Sequence, residues 1–134
     1  RVLAIDPRRT ARPRIAAEWH LAASAVAAPV ALGDARVLLA LADGTLVALD
    51  CDRPGRIAWT ADNDAAVTGA PAVDRAAGQV VCAHRDGTIT IRAPRDGRML
   101  HRYRLGLTPL GAPALAESHL VVATAEGLAL GLAR

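Results

Sequence analysis

The sequence repeats itself with a period of about 42 residues, and this repeat limits the possible folds more than any other feature. An Ala-Pro pair occurs at Ala28-Pro29, Ala70-Pro71 and Ala112-Pro113, at intervals of 42 residues. An acidic-Gly pair occurs at residues 43–44, 86–87 and 126–127, and Trp19 and Trp59 are followed at the next equivalent place by His101. Landmarks that keep a common period indicate tandem copies of one structural unit.

Each copy carries signals for short strands. The copy that begins at Ala28 has apolar runs at residues 30–32, 37–41, 45–49 and 57–60, separated by polar turns. The next has runs at 72–73, 80–83, 88–91 and 99–103, and the last at 114–115, 120–124 and 128–133. The acidic-Gly pair predicts a hairpin, and runs this short are not helices. We therefore predict an all-β fold, a partial β-propeller of about three four-stranded antiparallel blades.

The ends of the chain fall partway through a copy. Residues 2–6 match residues 46–50, a predicted third strand, and residues 128–133 form another. We predict one repeat domain with a partial blade at 1–27 (third and fourth strands), blades at 28–69 and 70–111, and a partial blade at 112–134. About three blades do not close a ring, so we expect the remaining blades in the same chain or from other copies. The mid-blade ends favour a slice of a longer chain.

Composition and charge argue against several functional classes. The formal net charge of the 134-residue chain is +3, and its sixteen basic residues are all arginine, interspersed with Asp and Glu. This is a weak basis for nucleic-acid binding. No apolar run approaches the roughly 20 residues of a membrane span. Cys51 and Cys82 lack metal-type spacing, and the histidines (His20, His84, His101 and His119) form no metal pattern, which favours surface or blade-interface roles.

Two polar segments are candidates for ligand or partner contact. Asp62-Asn63-Asp64 is similar to the start of a calcium loop, but residues 65–67 add no side-chain oxygen, which favours a polar connection between blades. Residues 8–14 carry Arg8, Arg9, Arg12 and Arg14 with no acid, so they can contact phosphate or an acidic protein face. These four arginines are the candidate partner contacts; the alternative is a solvated loop.

The stretch from Ala48 to Trp59 resembles the tryptophan-docking motif of pyrroloquinoline-quinone-like (PQQ-like) propeller repeats. It has Ala48 and Asp50, a turn containing Gly55, and Trp59. A second copy runs from Ala4 through Asp6 to Trp19, and a third, at residues 91–101, keeps the Gly97 turn but has His101 in place of Trp. The resemblance implies that the tryptophans pack between blades and that the turns are fixed locally. The implied structural docking residues are Trp19, Trp59, Asp6, Asp50, Gly55 and Gly97.

The resembled family includes quinoprotein dehydrogenases, outer-membrane assembly lipoproteins similar to BamB, and sensor domains fused to kinases, and it leans towards the bacterial periplasm. Its dehydrogenases place adjacent cysteines against the quinone and hold calcium with Glu, Asn and Asp. This chain has no Cys-Cys pair and a single Asn63. We therefore expect no catalytic residue, cofactor or metal ion, and predict a non-catalytic scaffold module that binds a protein partner. The alternatives are a fragment of a PQQ-dependent oxidoreductase and a propeller sensor domain attached to a kinase or another enzyme.

Overall fold

The computed structural model describes residues 1–6 and 14–133, and in these residues the chain forms β-strands and no helix. The strands are β1 (Val2–Asp6), β2 (Arg14–Trp19), β3 (Val30–Gly33), β4 (Arg36–Ala40), β5 (Leu46–Asp50), β6 (Ile57–Ala61), β7 (Ala72–Asp74), β8 (Gln79–Ala83), β9 (Thr88–Arg92), β10 (Met99–Arg104), β11 (Pro109–Leu115), β12 (His119–Thr124) and β13 (Ala129–Ala133).

Strands that follow one another in sequence also pair with one another, always antiparallel. The described residues form a first sheet of β1-β2, a second of β3-β4-β5-β6, a third of β7-β8-β9-β10 and a fourth of β11-β12-β13. Each sheet is thus an up-and-down meander, complete in the second and third sheets. The predicted all-β architecture of four-stranded antiparallel units is confirmed.

Strand β11 differs most from the predicted strand positions. It begins at Pro109, whereas the sequence predicted a strand only at residues 114–115. The difference arises from a bulge between Leu110 and Ala114, where the register with β12 shifts. Gly111, inside the bulge, has φ of 67°, a left-handed conformation that interrupts the strand pattern. The strand therefore continues through Pro113, which looks like a boundary in the sequence.

The acidic-Gly pairs form hairpin loops of three residues. In the second sheet, the Gly44 amide donates to the carbonyl of Leu41 at 3.1 Å, and the Leu41 amide donates to Thr45 at 2.9 Å. Only the glycine of the loop has positive φ, as expected for a type I turn followed by a left-handed residue. Asp43 accepts the Thr45 amide at 2.9 Å, and this hydrogen bond lowers the pKa of the carboxyl. The predicted hairpin position is correct, and the acid secures the loop.

The sheets pack face to face through three apolar clusters. One joins the first and second sheets around Trp19, a second joins the second and third around Trp59, and a third joins the third and fourth around Ile89 and Leu120. The middle strands of the two complete sheets are buried on both faces, which explains their continuous apolar runs. Strand β12 instead alternates between exposed and buried residues, because only one face of the fourth sheet is covered.

The turn between β3 and β4 stores local strain. Its central residues, Asp34 and Ala35, have φ of 48° and 54°, as a type I′ turn requires. Alanine has no side-chain hydrogen bond to compensate for the left-handed conformation, which costs about 1–2 kcal/mol in a residue with a Cβ.

We expect Ala35→Gly to raise the free energy of unfolding by about 0.5–1 kcal/mol, because glycine adopts positive φ without steric cost but loses more entropy on folding. Urea-induced unfolding followed by tryptophan fluorescence measures the change. Ala77→Gly is the control, since Ala77 lies in the corresponding turn of the third sheet without positive φ. Equal stabilisation by both variants would contradict the assignment of strain to Ala35.

Candidate functional site

The two tryptophans lie at the junctions between successive sheets. Trp19, at the end of β2, donates its Nε1 hydrogen to the carbonyl of Arg56 at 3.1 Å, in the turn before β6 of the next sheet. Trp59, on β6, donates in the same way to the carbonyl of Pro94 at 3.0 Å, in the turn before β10. Both indoles are buried. Each indole therefore ties the last strand of its sheet to the turn between the third and fourth strands of the following sheet.

The turn that receives Trp59 has no room for a side chain. Gly97 has φ of 74°, and a Cβ at this position would lie 2.5 Å from a carbon of the Trp59 ring. At the equivalent Gly55 the nearest atom to such a Cβ is the Glu18 carbonyl oxygen, 3.9 Å away. Asp50 accepts the amides of Asp52 and Arg53 at 3.1 and 3.2 Å, which closes the turn containing Gly55.

On these contacts we propose a docking role for Trp19, Trp59, Asp50, Gly55 and Gly97. Asp6, the remaining residue that the motif implies, lies at the end of β1, in register with Arg14.

The junction between the second and third sheets also contains a buried arginine. Arg92 on β9 is 6% exposed, and its Nη1 donates to the carbonyl of Gly97 at 2.8 Å. Its Nη2 donates to the carbonyl of Asp62 at 3.1 Å and to the side-chain oxygen of Asn63 at 2.8 Å. Asn63 in turn donates from Nδ2 to the carbonyl of Gly44 at 2.9 Å. The Asn63 side chain therefore bridges the second-sheet hairpin and the third-sheet guanidinium.

The segment Asp62-Asn63-Asp64 is thus engaged in contacts between sheets. Besides the Asn63 bridge, Asp64 forms an ion pair with Arg102 of β10 at 2.9 Å. Sequence reasoning considered this segment but missed Arg92. The position of Arg92 in the repeat could have revealed it. Arg92 pairs with Val80 as Leu49 pairs with Val37, so the arginine stands where the preceding copy has a leucine. A charged residue at a position that is apolar in the neighbouring copy indicates a buried polar contact.

His84 is a second buried polar group at this junction. It is 1% exposed, with Nδ1 2.9 Å from the Ala65 carbonyl and Nε2 2.8 Å from the Thr90 hydroxyl. Since a carbonyl only accepts, Nδ1 carries the proton, and in the neutral ring Nε2 accepts from Thr90. Burial lowers the pKa of His84, and the hydrogen bond to Ala65 opposes part of this effect. The other histidines (His20, His101 and His119) are exposed.

An open cleft of about 1150 Å³ lies between the third and fourth sheets. Its walls include His101 and Tyr103, whose rings stack with centroids 6.2 Å apart. His101 pairs with Ile91 in the same way that Trp59 pairs with Ala48, so it occupies the tryptophan position of the third sheet. It does not fill the junction, because its side chain is exposed. The larger aliphatic side chains of the lining are Val73, Val81, Ile91, Leu115, Leu120 and Leu132.

The described residues do not fit the quinone and calcium site of the dehydrogenases whose repeats the docking motif resembles. Cys51 is exposed in a turn, whereas Cys82 is buried in β8, where burial raises the pKa of its thiol to about 12. The side-chain oxygen of Asn63 faces the Arg92 guanidinium, which would repel a cation. Within residues 1–6 and 14–133, no three His, Cys, Asp or Glu side chains are grouped as metal ligands.

The candidate arginine contacts lie largely beyond the described part of the chain. Arg8, Arg9 and Arg12 fall between β1 and β2, outside the described residues. Arg14 is the first residue of β2 and is exposed. In the described part of the chain, no helix is present that has the length and apolar character needed to cross a membrane.

A family model described as outer membrane protein assembly factor BamB matches residues 3–133. No curated protein sequence matches the chain. Among solved structures, BamB from Moraxella catarrhalis is similar, with 17% identity and a TM-score of 0.69 over 83% of this chain and 35% of that chain.

Two other solved structures extend the likeness. The quinohemoprotein alcohol dehydrogenase from Comamonas testosteroni has 19% identity and a TM-score of 0.61, over 75% of this chain and 17% of that chain. The β-propeller domain of Cps50 (Swd1) from Myceliophteria thermophila has 16% identity and a TM-score of 0.62, over 74% of this chain and 32% of that chain. The chain spans about a third or less of these three proteins. At such identities the likeness shows the fold, and the predicted β-propeller architecture is confirmed.

We expect Gly97→Ala to lower the free energy of unfolding by about 2–4 kcal/mol, because the methyl group adds left-handed strain and overlaps the Trp59 ring. Urea-induced unfolding measures the loss, and a red shift of the native emission reports displacement of the indole.

Gly78→Ala is the matched control for this prediction. Gly78 has φ of 63°, but no atom lies within 4 Å of a Cβ built there, so only the backbone strain is added. We expect a loss of about 1–2 kcal/mol with an unchanged emission maximum. If both variants lost the same stability, the contact between Gly97 and Trp59 would not be tight.

The buried His84 predicts a loss of stability in acid. Because the folded chain lowers the pKa of His84 from 6.5, the unfolded chain binds more protons below about that pH. The stabilisation that comes from the neutral His84 of the folded chain is fully present above pH 6.5 and is lost as the pH falls towards the folded pKa, by at most about 1 kcal/mol per pH unit.

The measurement is the free energy of unfolding between roughly pH 4 and pH 8, where histidine and carboxyl groups titrate. We expect His84→Gln to reduce the pH dependence of the free energy of unfolding below pH 6.5. His119→Gln changes an exposed histidine and should leave that pH dependence as it is in the wild type. An unchanged slope in His84→Gln would show that other groups cause the acid sensitivity.

Proposed function

The chain belongs to the family of the outer membrane protein assembly factor BamB, and we propose that it is a non-catalytic β-propeller segment that binds a partner protein through its loops. The observation that carries this proposal is that its buried polar side chains form hydrogen bonds within the stack. Asn63 links the Gly44 hairpin of the second sheet to Arg92 of the third, and His84 bonds to Ala65 in the segment that connects these two sheets and to Thr90 of its own sheet. The buried polar groups thereby stabilise the stack, and exposed turns on a rigid frame are the parts free to contact another molecule.

The loops between third and fourth strands are the surface that we favour. Because each sheet repeats the same meander, we expect equivalent loops of successive sheets to lie on the same side of the stack. Residues 7–13 connect β1 to β2, residues 51–56 connect β5 to β6, and residues 93–98 connect β9 to β10. The later two loops carry exposed arginines: Arg53 and Arg56 lie near Asp50 and Asp52, and Arg95 and Arg98 lie near Asp96.

The first of these loops carries an unbalanced positive charge. Arg8, Arg9, Arg12 and Arg14 have no acidic residue between them, so residues 8–14 are the most uneven run of positive charge in the sequence. Guanidinium groups form paired hydrogen bonds with carboxylates. We therefore propose that the partner presents an acidic face to this loop.

The test replaces Arg8, Arg9, Arg12 and Arg14 together by glutamine. We expect binding of the partner, identified by cross-linking of the purified chain in source-cell extract and mass spectrometry, to weaken by roughly tenfold, since exposed ion pairs contribute up to about 1 kcal/mol each. The matched control replaces four other exposed arginines, Arg1, Arg75, Arg85 and Arg104, by glutamine and removes the same charge. Equal weakening in both would assign the effect to net charge.

A parallel measurement addresses the oxidoreductase alternative. Equilibrium dialysis of the purified chain against pyrroloquinoline quinone and calcium should show no stoichiometric binding. Saturable binding of one quinone per chain, with reduction of an added electron acceptor in the presence of an alcohol, would overturn the proposal.

A further inference from the structure

The outer edge of the third sheet is formed by β10, whose residues are mostly exposed. The sheet has the order β10-β9-β8-β7, so β10 pairs with β9 on one side, and no other strand of the described residues pairs with its outer side. Along β10 only Leu100 is partly buried, and the other residues are exposed. The third sheet is complete and packs between the second and fourth sheets. The edge of β10 is therefore open although both faces of its sheet have a neighbour.

The backbone of β10 directs polar groups outward at Arg102 and Arg104. The Leu105 amide donates to the carbonyl of Gly87 at 2.9 Å, so Leu105 faces β9. Alternate residues of an antiparallel strand face the same neighbour, and in the register between the two strands Tyr103 therefore faces β9 as well. The amide and carbonyl groups of Arg102 and Arg104 consequently point away from β9. Outward groups of this kind are the ones that pair with an added strand.

The two residues with outward backbone groups are both positively charged. None of the ion pairs in the described part of the chain includes Arg104. Arg102 pairs with Asp64, but both side chains are accessible, at 42% and 76% exposed. Such an exposed ion pair contributes at most about 1 kcal/mol, so Arg102 can exchange Asp64 for another carboxylate at little cost. The edge thus offers two guanidinium groups beside its unpaired backbone groups.

The corresponding edge of the second sheet carries no positive charge at these positions. One repeat of 42 residues earlier, Thr60 and Asp62 stand where the third sheet has Arg102 and Arg104. Thr60 belongs to β6, and Asp62 follows that strand directly. The basic edge is therefore a property of the third sheet and does not come from the repeat itself.

We propose that the outer edge of β10 is a second interaction surface, separate from the loops between third and fourth strands, and that it binds an acidic, extended protein segment by strand addition. Backbone hydrogen bonds to Arg102 and Arg104 hold the segment. Acidic side chains two residues apart lie on one face of the added strand, opposite the two guanidinium groups. Two β10 edges do not pair with each other, because like charges would lie opposite one another. The charges that prevent self-association therefore select an acidic partner.

The test uses a synthetic peptide of about seven residues, within the usual length of a strand, in which Glu alternates with Thr and both ends are blocked. The full 134-residue chain, labelled with ¹⁵N, is titrated with this peptide, and amide hydrogen exchange is followed by NMR. We expect the amides of Arg102 and Arg104 to exchange roughly tenfold more slowly when about nine-tenths of the chain is occupied. The amide of Thr60, on the edge of the second sheet, should exchange as in the free chain.

The role of charge is tested by replacing Arg102 and Arg104 together by glutamine. We expect peptide binding to weaken by roughly tenfold, since each exposed ion pair contributes up to about 1 kcal/mol. The matched control replaces two other exposed arginines, Arg53 and Arg75, by glutamine, which removes the same charge and should leave binding close to that of the wild type. The variant that removes the arginines of residues 8–14 should also bind the peptide normally, so this proposal and that of the loop surface fail separately.

The role of the peptide backbone is tested with two methylated peptides of the same charge. N-methylation of the Glu amides, which face β10 in the added strand, should abolish binding, whereas N-methylation of the Thr amides, which face solvent, should preserve it. Equal binding of the two methylated peptides, or equally tight binding of an oligonucleotide of the same charge, would show that charge alone attracts the ligand and would refute strand addition. Unchanged exchange of the Arg102 and Arg104 amides at saturating peptide would refute it as well.

Discussion

The stack depends on the fact that the middle strands of its two complete sheets are apolar on both faces. Such sheets are stable in water when neighbouring sheets cover their apolar faces, and the three clusters cover both faces of the second and third sheets and one face of the first and fourth. Small residues such as Ala40 and Ala48, which are 1% and 0% exposed, let neighbouring sheets approach closely. Trp19 and Trp59 add the largest side chains to these clusters, and each donates a hydrogen bond to a turn of the next sheet.

The junctions are not interchangeable. The one between the first and second sheets is apolar around Trp19, whereas the one between the second and third adds Arg92, Asn63 and His84. The hydrogen bonds from Arg92 Nη2 and Asn63 form only when the segment after the second sheet and its Gly44 hairpin face the third sheet. In the described part of the chain, Arg92 Nε is the buried side-chain polar atom that has no hydrogen-bond partner. Buried polar contacts of this kind favour one order and one register of packing over alternatives that apolar contacts alone would tolerate.

Much of the architecture was predictable because the weak local signals for strands and turns occur again at the same positions in each copy of the repeat. A run such as residues 80–83 is ambiguous alone, but becomes a strand when equivalent runs recur with the same turns. Arg92 and the hydrogen bonds of His84 were less accessible, since they depend on which face of one copy meets another. The start of strand β11 was mispredicted because the strand continues through Pro113 by means of a bulge. The bulge is indicated in the sequence only by Gly111. Residues 7–13, which include three of the candidate contact arginines, lie outside the described residues, so their role stays a prediction from the sequence.

The contact between Trp59 and Gly97 links residues that belong to different copies of the repeat. Gene duplication makes such copies identical at first, and later substitutions act on each copy separately. A larger residue at Gly97 is tolerated only after the indole on the preceding copy is lost, so divergence at one site sets the order of divergence at the other. The exposed His101, at the tryptophan position of the third sheet, does not fill its junction and places no such restriction on the copy that follows.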